Sequence, residues 1–269
     1  RSIELTINAA NVLGQDDDVK TLSALRDQVI NAFRTRFFDE ELNLLNARPT
    51  QTTYLLGLAY DLFPENKRAI AIDKLIALLD HADMHLRTGF LGTPLLTQVL
   101  QDAGRSDVIY ELLFKETYPS WFHSINNGAT TTWERWNSYS IEDGFNPQGM
   151  NSLNHYAYGT ISRWFYEGIL GITPAKPGFK SIRIEPQFSN HLEQATGSYK
   201  TPHGEVSVSW KIDNNRVSID VVVPKNTTAD IVLPIVDKAE LVLNGQAVDS
   251  LELNNIQPGS YQIKANITL

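Results

Sequence analysis

The 269-residue sequence has no cysteine. That excludes a disulfide scaffold, a thiolate metal site and a cysteine nucleophile, but it does not identify a compartment. No apolar run approaches the roughly eighteen residues a membrane-spanning helix needs, so no membrane partner is expected. Positive charge is in deficit: 23 Lys and Arg stand against 31 Asp and Glu, for a formal charge of −8. A phosphate backbone rewards basic patches, and none is visible, which argues against nucleic acid as a partner. Clusters of His, Asp or Glu at metal-ligand spacing are also missing, so neither a metal nor another cofactor is expected. What remains is ordinary for a folded protein, with 42% hydrophobic and 20% charged residues, enough for one or two domains with a sizeable core.

The densest chemistry lies between Asn127 and Tyr158. One carboxylate, Glu134, sits between Trp133 and Trp136, and a polar loop later His155 is flanked by Asn154 and Tyr156. Indole faces are suited to stacking on the C–H face of a sugar, and a carboxylate between them can accept a proton or grip a hydroxyl. By residue type this is a saccharide site. By the same types, Trp133, Trp136 and Tyr156 could be core residues, Glu134 a surface partner of Arg135, and His155 a helix-start histidine bonded to backbone. The acidic pairs Glu40-Glu41 and Glu142-Asp143 read as solvated charges.

Up to about residue 172 the pattern is helical. Ile3, Leu5, Ile7, Ala10 and Leu13 share one helix face, and Asp16, Asp17 and Asp18 favour the start of a second helix against its macrodipole. Val19, Leu22, Leu25, Val29, Ile30, Phe33 and Phe37 mark its apolar stripe. Further helices are predicted near Thr50–Phe63, Pro64–Ala82, Leu95–Ala103 and Asp107–Glu116, the last capped by Ser106. A final aromatic-rich helix is predicted from Ser152 or Asn154 to about Gly171. Thr173 to Gly178 holds two prolines and a glycine, which end the helical pattern. Beyond it, alternating stretches such as Glu205–Trp210 and Arg216–Val223 predict a sandwich of antiparallel strands. Asn214-Asn215 and Asn244-Gly245 are hairpin turns by composition, the second the stronger. The boundaries expected are therefore 1–173 for the helical domain and 178–269 for the β-domain.

Several blocks carry a resemblance. They are Gln51-Thr52, Gly57-Leu58, His85 to Pro94 (HLRTGFLGTP), Tyr118 to Trp121 (YPSW), Gly128 to Trp136 (GATTTWERW) and Ser152 to Gly159 (SLNHYAYG). From about residue 50 onward, their order and spacing resemble the C-terminal part of the bacterial α-L-rhamnosidases of glycoside hydrolase family 78. The resemblance implies an (α/α)6 barrel followed by a C-terminal antiparallel β-sandwich, and inverting hydrolysis of terminal α-L-rhamnosyl groups. It places the general base at Glu134, a sugar-binding histidine at His155, and pocket-lining roles at Trp136 and Trp133. Inversion takes two carboxyl groups roughly 6.5–9.5 Å apart, one protonating the leaving oxygen and one activating water on the opposite face.

Two features depart from that pattern. The family's acidic block, Asp-x-x-Arg-x-Glu-Arg-x-x-Trp-x-Gly-Asp, which holds the general acid, has no counterpart in residues 1–269. The sequence also supplies about seven helices, too few for a closed barrel of six helical hairpins. With a start that reads as mid-helix, the expectation is the C-terminal piece of a larger bacterial enzyme, cytoplasmic or secreted, inactive alone. A half-barrel would expose apolar helix faces, so self-association through residues 1–110, or poor order there, is expected. The alternatives are a non-catalytic saccharide-binding or structural relative that has lost the acid, or an (α/α)6 glycosidase for another sugar. Asn137-Ser138 also stands where family members usually have Asp-Gly.

Overall fold

The computed structural model describes residues 1–233 and 236–269, with all side chains except those at 238 and 239. The chain divides into two compact units, residues 1–158 and 159–269.

In the first unit, helices α1 (Ser2–Val12) and α2 (Asp16–Phe37) pack on each other, with three aspartates in the first turn of α2. Both are thinly covered. Ala10 is the buried residue of α1 and Ile30 that of α2, while Leu5, Val12, Leu13, Leu25, Val29 and Phe37 face solvent. The periodicity predicts buried stripes on both helices, and the helices form as expected. Among the described residues, however, little covers the stripes. At the end of α2, Phe38 turns into an aromatic cluster with Tyr54 and Phe63.

Helix α3 (Gln51–Ala59) starts on a reciprocal capping box between Thr50 and Thr53, and packs on α4 (Arg68–Asp80) and α5 (Thr93–Asp102). Helix α6 (Ser106–Phe114) buries Val108, Ile109, Tyr110, Leu112 and Leu113, and begins at Ser106 itself. Arg105 occupies the cap position in place of the predicted Ser106, paired with the Asp107 carboxylate at 2.8 Å. Helix α7 (Trp121–Asn126) is short and capped by Ser120, whose oxygen accepts from the His123 N–H. A two-stranded ribbon of β1 (Tyr139–Ser140) and β2 (Gly144–Phe145) interrupts the loop that follows.

The predicted aromatic helix begins later than its composition suggests. Regular helix starts at α8 (Ile161–Trp164), after a 3-10 turn over Tyr158–Thr160, and continues as a π-helical turn through Phe165–Ile169. Residues 152–155 are withheld from it because their backbone groups bond across the loop, Ser152 to Glu134 and His155 to Thr132.

The second unit is a sandwich of two sheets. Its strands are β3 (Ile172–Pro174), β4 (Ser181–Ile184), β5 (Gln194–Thr201), β6 (Gly204–Asp213), β7 (Arg216–Val223), β8 (Thr228–Val232), β9 (Val236–Leu243), β10 (Gln246–Ala247), β11 (Glu252–Ile256) and β12 (Gly259–Ile267). One sheet runs β10-β9-β12-β7-β6-β5 and the other β11-β8-β4-β3. Every pairing is antiparallel except β4 with β8, which the chain reaches after crossing to the other sheet for β5 to β7. Val206, Val208 and Trp210, with Val217, Ile219 and Val221, supply the buried alternate positions of one sheet, and Ile182, Ile184 and Ile231 those of the other. Both predicted hairpin turns form. Asn214 (φ 48°) and Asn215 (φ 60°) join β6 to β7, and Asn244 (φ 49°) and Gly245 (φ 83°) join β9 to β10, with the paired positive angles a type I′ turn requires.

Gly171 has φ +73°, and a Cβ there would lie 2.2 Å from the Glu185 carbonyl carbon, where backbone cannot move aside. Gly171→Ala is expected to cost on the order of 2 kcal/mol or more. A urea-unfolding midpoint unchanged from wild type would refute that.

Candidate functional site: an aromatic cavity beside a stitched carboxylate loop

The loop from Asn127 to Tyr158 folds back on itself, so that residues 131–134 run beside 152–155. The Glu134 N–H donates to Ser152 O at 2.9 Å, and the Ser152 N–H donates to the Glu134 carboxylate at 3.1 Å. The His155 N–H donates to Thr132 O at 2.9 Å, while the Thr132 hydroxyl donates to His155 O at 2.7 Å. Thr131 adds a hydroxyl bond to Leu153 O. These bonds bring the Glu134 and His155 segments, distant in sequence, onto neighbouring stretches of one half-buried loop.

Each side chain is set by local partners. Glu134 does not pair with Arg135, whose guanidinium reaches Gln148 Oε1 at 3.2 Å and Gly149 O at 3.4 Å. One oxygen of the Glu134 carboxylate is instead oriented by the Ser152 backbone N–H. The Nδ1 of His155 accepts from the Ala157 N–H at 3.3 Å, which leaves Nε2 as the ring's donor in the neutral imidazole. Its ring lies nearly parallel to Tyr156, with centroids 5.6 Å apart. Ser138 is fully buried. Its oxygen accepts from Arg135 N, and its carbonyl accepts from Asn146 N, so the Asn137-Ser138 pair closes the turn after Trp136.

Beside the stitched loop lies a cavity of about 250 Å³, lined by Trp121, Ile125, Thr131, Trp133, Trp136 and Tyr158 among others. Trp136 is 7% exposed and stacks face to face on Tyr158 at 3.8 Å, its N–H donating to Thr88 O at 3.2 Å. Trp121 meets the Trp136 ring edge-on at 5.3 Å and donates to Tyr158 O at 2.9 Å. Trp133, 4% exposed, meets Tyr139 edge-on at 6.2 Å. Burial pushes the Tyr158 phenol up to about 12, so it stays neutral and adds no charge to the cavity.

Trp133 and Trp136 thus both line the cavity, and both are also packed as core residues. Glu134 and His155 sit on the adjoining stitched segments. Residue chemistry alone assigned no role to Trp121, Thr132 or Tyr158. All three lie within the GATTTWERW, YPSW and SLNHYAYG blocks, which were the available signal. Among the described residues, no group of three or more His, Asp or Glu side chains is placed to hold a metal ion.

A run of helical hairpins carrying a carboxylate between buried indoles, with a β-sandwich after it, is the make-up of the helical-barrel glycosidase class. A family model described as the bacterial alpha-L-rhamnosidase 6 hairpin glycosidase domain matches residues 1–169, and one described as the bacterial alpha-L-rhamnosidase C-terminal domain matches residues 171–247. The chain belongs to the bacterial α-L-rhamnosidase family. It is 55% identical, over 98% of its length, to an alpha-L-rhamnosidase of Alteromonas sp. (strain LOR), of which it covers 29%. It is 46% identical over its whole length to one from Formosa agariphila, covering 30% of that protein. The crystal structure of Streptomyces avermitilis alpha-L-rhamnosidase complexed with L-rhamnose superposes with a TM-score of 0.88 at 34% identity, over 98% of this chain and 26% of that one. The chain therefore spans under a third of the length of these relatives, and its helical portion is part of an (α/α)6 barrel.

Proposed function

We propose that this chain supplies the base half of an inverting α-L-rhamnosidase, with Glu134 as the general base. The observation that carries the reading is the stitching of residues 131–134 to 152–155. It holds Glu134 and His155 on adjacent segments beside an aromatic cavity. In this reading Glu134 takes a proton from the water that attacks the anomeric carbon. The His155 Nε2–H donates to a hydroxyl of the terminal sugar, and Trp133 and Trp136 form the apolar wall. The substrate class is a glycoside or oligosaccharide ending in α-L-rhamnose, in keeping with the relatives' names and with the L-rhamnose in the Streptomyces complex. The general acid is assigned to a segment outside these 269 residues, a reading supported by the share of the relatives that the chain spans. Residues 1–173 are assigned to the barrel and 178–269 to a structural β-module. The exposed apolar residues of α1 and α2 support self-association through that face.

The test is release of L-rhamnose from an aryl α-L-rhamnoside, followed by NMR of the anomeric proton. This chain alone should release none. A polypeptide continuing it through the whole barrel should release β-L-rhamnose first, the mark of inversion. Turnover by this chain alone would place the acid within it. The α-anomer appearing first would remove Glu134 as a water-activating base. No turnover by the longer polypeptide would leave a saccharide binder in place of an enzyme.

A further inference from the structure

The site loop builds a second cavity, of about 370 Å³, whose walls include Tyr118, His123, Tyr139, Glu142, Asp143 and Phe145. Tyr139 and Phe145 are directly opposed across the β1–β2 ribbon, with ring centroids 5.4 Å apart. Tyr118 meets the His123 ring edge-on at 5.2 Å. Asn127 ties the two sides together: its side-chain oxygen accepts from the Ile141 N–H at 3.2 Å, and its amide donates to His123 O at 2.9 Å.

Two features of this cavity face solvent. Phe145 is 61% and Tyr118 50% exposed, although aromatic surface in water is costly. Beside them Glu142 and Asp143 are exposed, and Asn137 and Asn146 add amide groups. Among the described residues lining the cavity there is no lysine or arginine to balance those carboxylates. Burial lowers the basicity of the His123 imidazole, and the Glu142 carboxylate offsets this only in part, so the ring brings no positive charge at neutral pH. Anionic ligands are therefore repelled. A neutral ring with one apolar face and several hydroxyls fits both surfaces. Its C–H face can lie on an aromatic, and its hydroxyls can donate to carboxylates.

The two cavities are close. Trp133 lines the first, Tyr139 lines the second, and their rings meet at 6.2 Å. That contact makes the two cavities neighbours, divided by the Trp133 and Tyr139 rings. We propose that the Tyr118–Tyr139–Phe145 cavity binds the neutral sugar next to the terminal residue of the oligosaccharide, selecting against a uronic acid there. The proposal rests on the reading of the first cavity as the site for terminal rhamnose.

The test is a titration of this chain followed by amide NMR. Three probes are used: L-rhamnose, a disaccharide of α-L-rhamnose on D-glucose, and the same disaccharide with D-glucuronic acid in place of glucose. L-rhamnose should shift amides in 131–134 and 152–158. The neutral disaccharide should also shift Tyr118, His123 and residues 139–146, and should bind about fivefold more tightly or better, the range of one aromatic contact. Phe145→Ala and Asp143→Asn should each remove that gain, and the uronate should bind more weakly than the neutral disaccharide. Disaccharide binding that leaves residues 139–146 unmoved, or that is indifferent to both substitutions, overturns the proposal. Were the ribbon to respond while L-rhamnose moved nothing near Glu134, the first-cavity reading alone would fail. Silence from every probe would sink both.

Discussion

Glu134→Gln is expected to lower turnover on an aryl α-L-rhamnoside by about 10²–10⁴-fold in the polypeptide that completes the barrel, the usual contribution of a positioned general base. The substitution keeps shape and hydrogen bonding. The amide oxygen of glutamine can still accept from the Ser152 N–H, and the backbone bond from Glu134 N to Ser152 O is untouched. In the proposed role, what is lost is the charge that would draw a proton from water. KM should therefore change little while kcat falls, because the interaction removed is made mainly in the transition state. A variant with near-normal turnover would mean that another carboxylate is the base.

The second large effect concerns stability. Trp136→Ala is expected to cost about 3–5 kcal/mol, as large-to-small changes at buried aromatics do. The indole is 7% exposed, stacked on Tyr158 and edge-on to Trp121, and its N–H is the partner of Thr88 O. Trp136→Phe keeps a ring in the stack but strands that buried carbonyl, for a smaller loss of about 1–3 kcal/mol. Denaturant midpoints of the two variants measure this directly. If Trp136→Ala unfolded within about 1 kcal/mol of wild type, the indole would be a ligand platform with little part in the core. One face of Trp136 is already occupied by Tyr158, and Trp133, though also on the cavity wall, is more buried still.

The sequence was most readable where a local rule decided the outcome. Three aspartates start α2, paired asparagines turn β6 into β7, and alternating valines and isoleucines mark β6 and β7. It was least readable where partners distant in sequence decided it. Strand β5, Gln194–Thr201, is polar and lies at a sheet edge, so no alternation betrays it; its pairing with β6 is what makes it a strand. Pro174 sits in β3, the edge strand of its sheet, where a missing N–H costs little, although the prolines there read as a plain break. The delayed start of α8 depends on bonds from 152–155 to 131–134, which no window along the chain contains. The site followed the same division. Glu134 and His155 stand out by type and by resemblance, whereas the Trp121–Trp136–Tyr158 cluster arises only when α7 and the end of the loop come together.

The thin cover on α1 and α2 has a consequence for where this molecule opens first. Helices with one buried residue each have little to lose on detaching, so their amides belong to the low end of the local-opening scale. The site loop is fastened elsewhere, through the Trp136 bond to Thr88 just before α5 and the Trp121 bond across to Tyr158. Fraying at the N-terminal pair can therefore proceed without loosening Glu134. The chain thus pairs a fastened loop with a compliant flank, the part of it most open to being reshaped by contact.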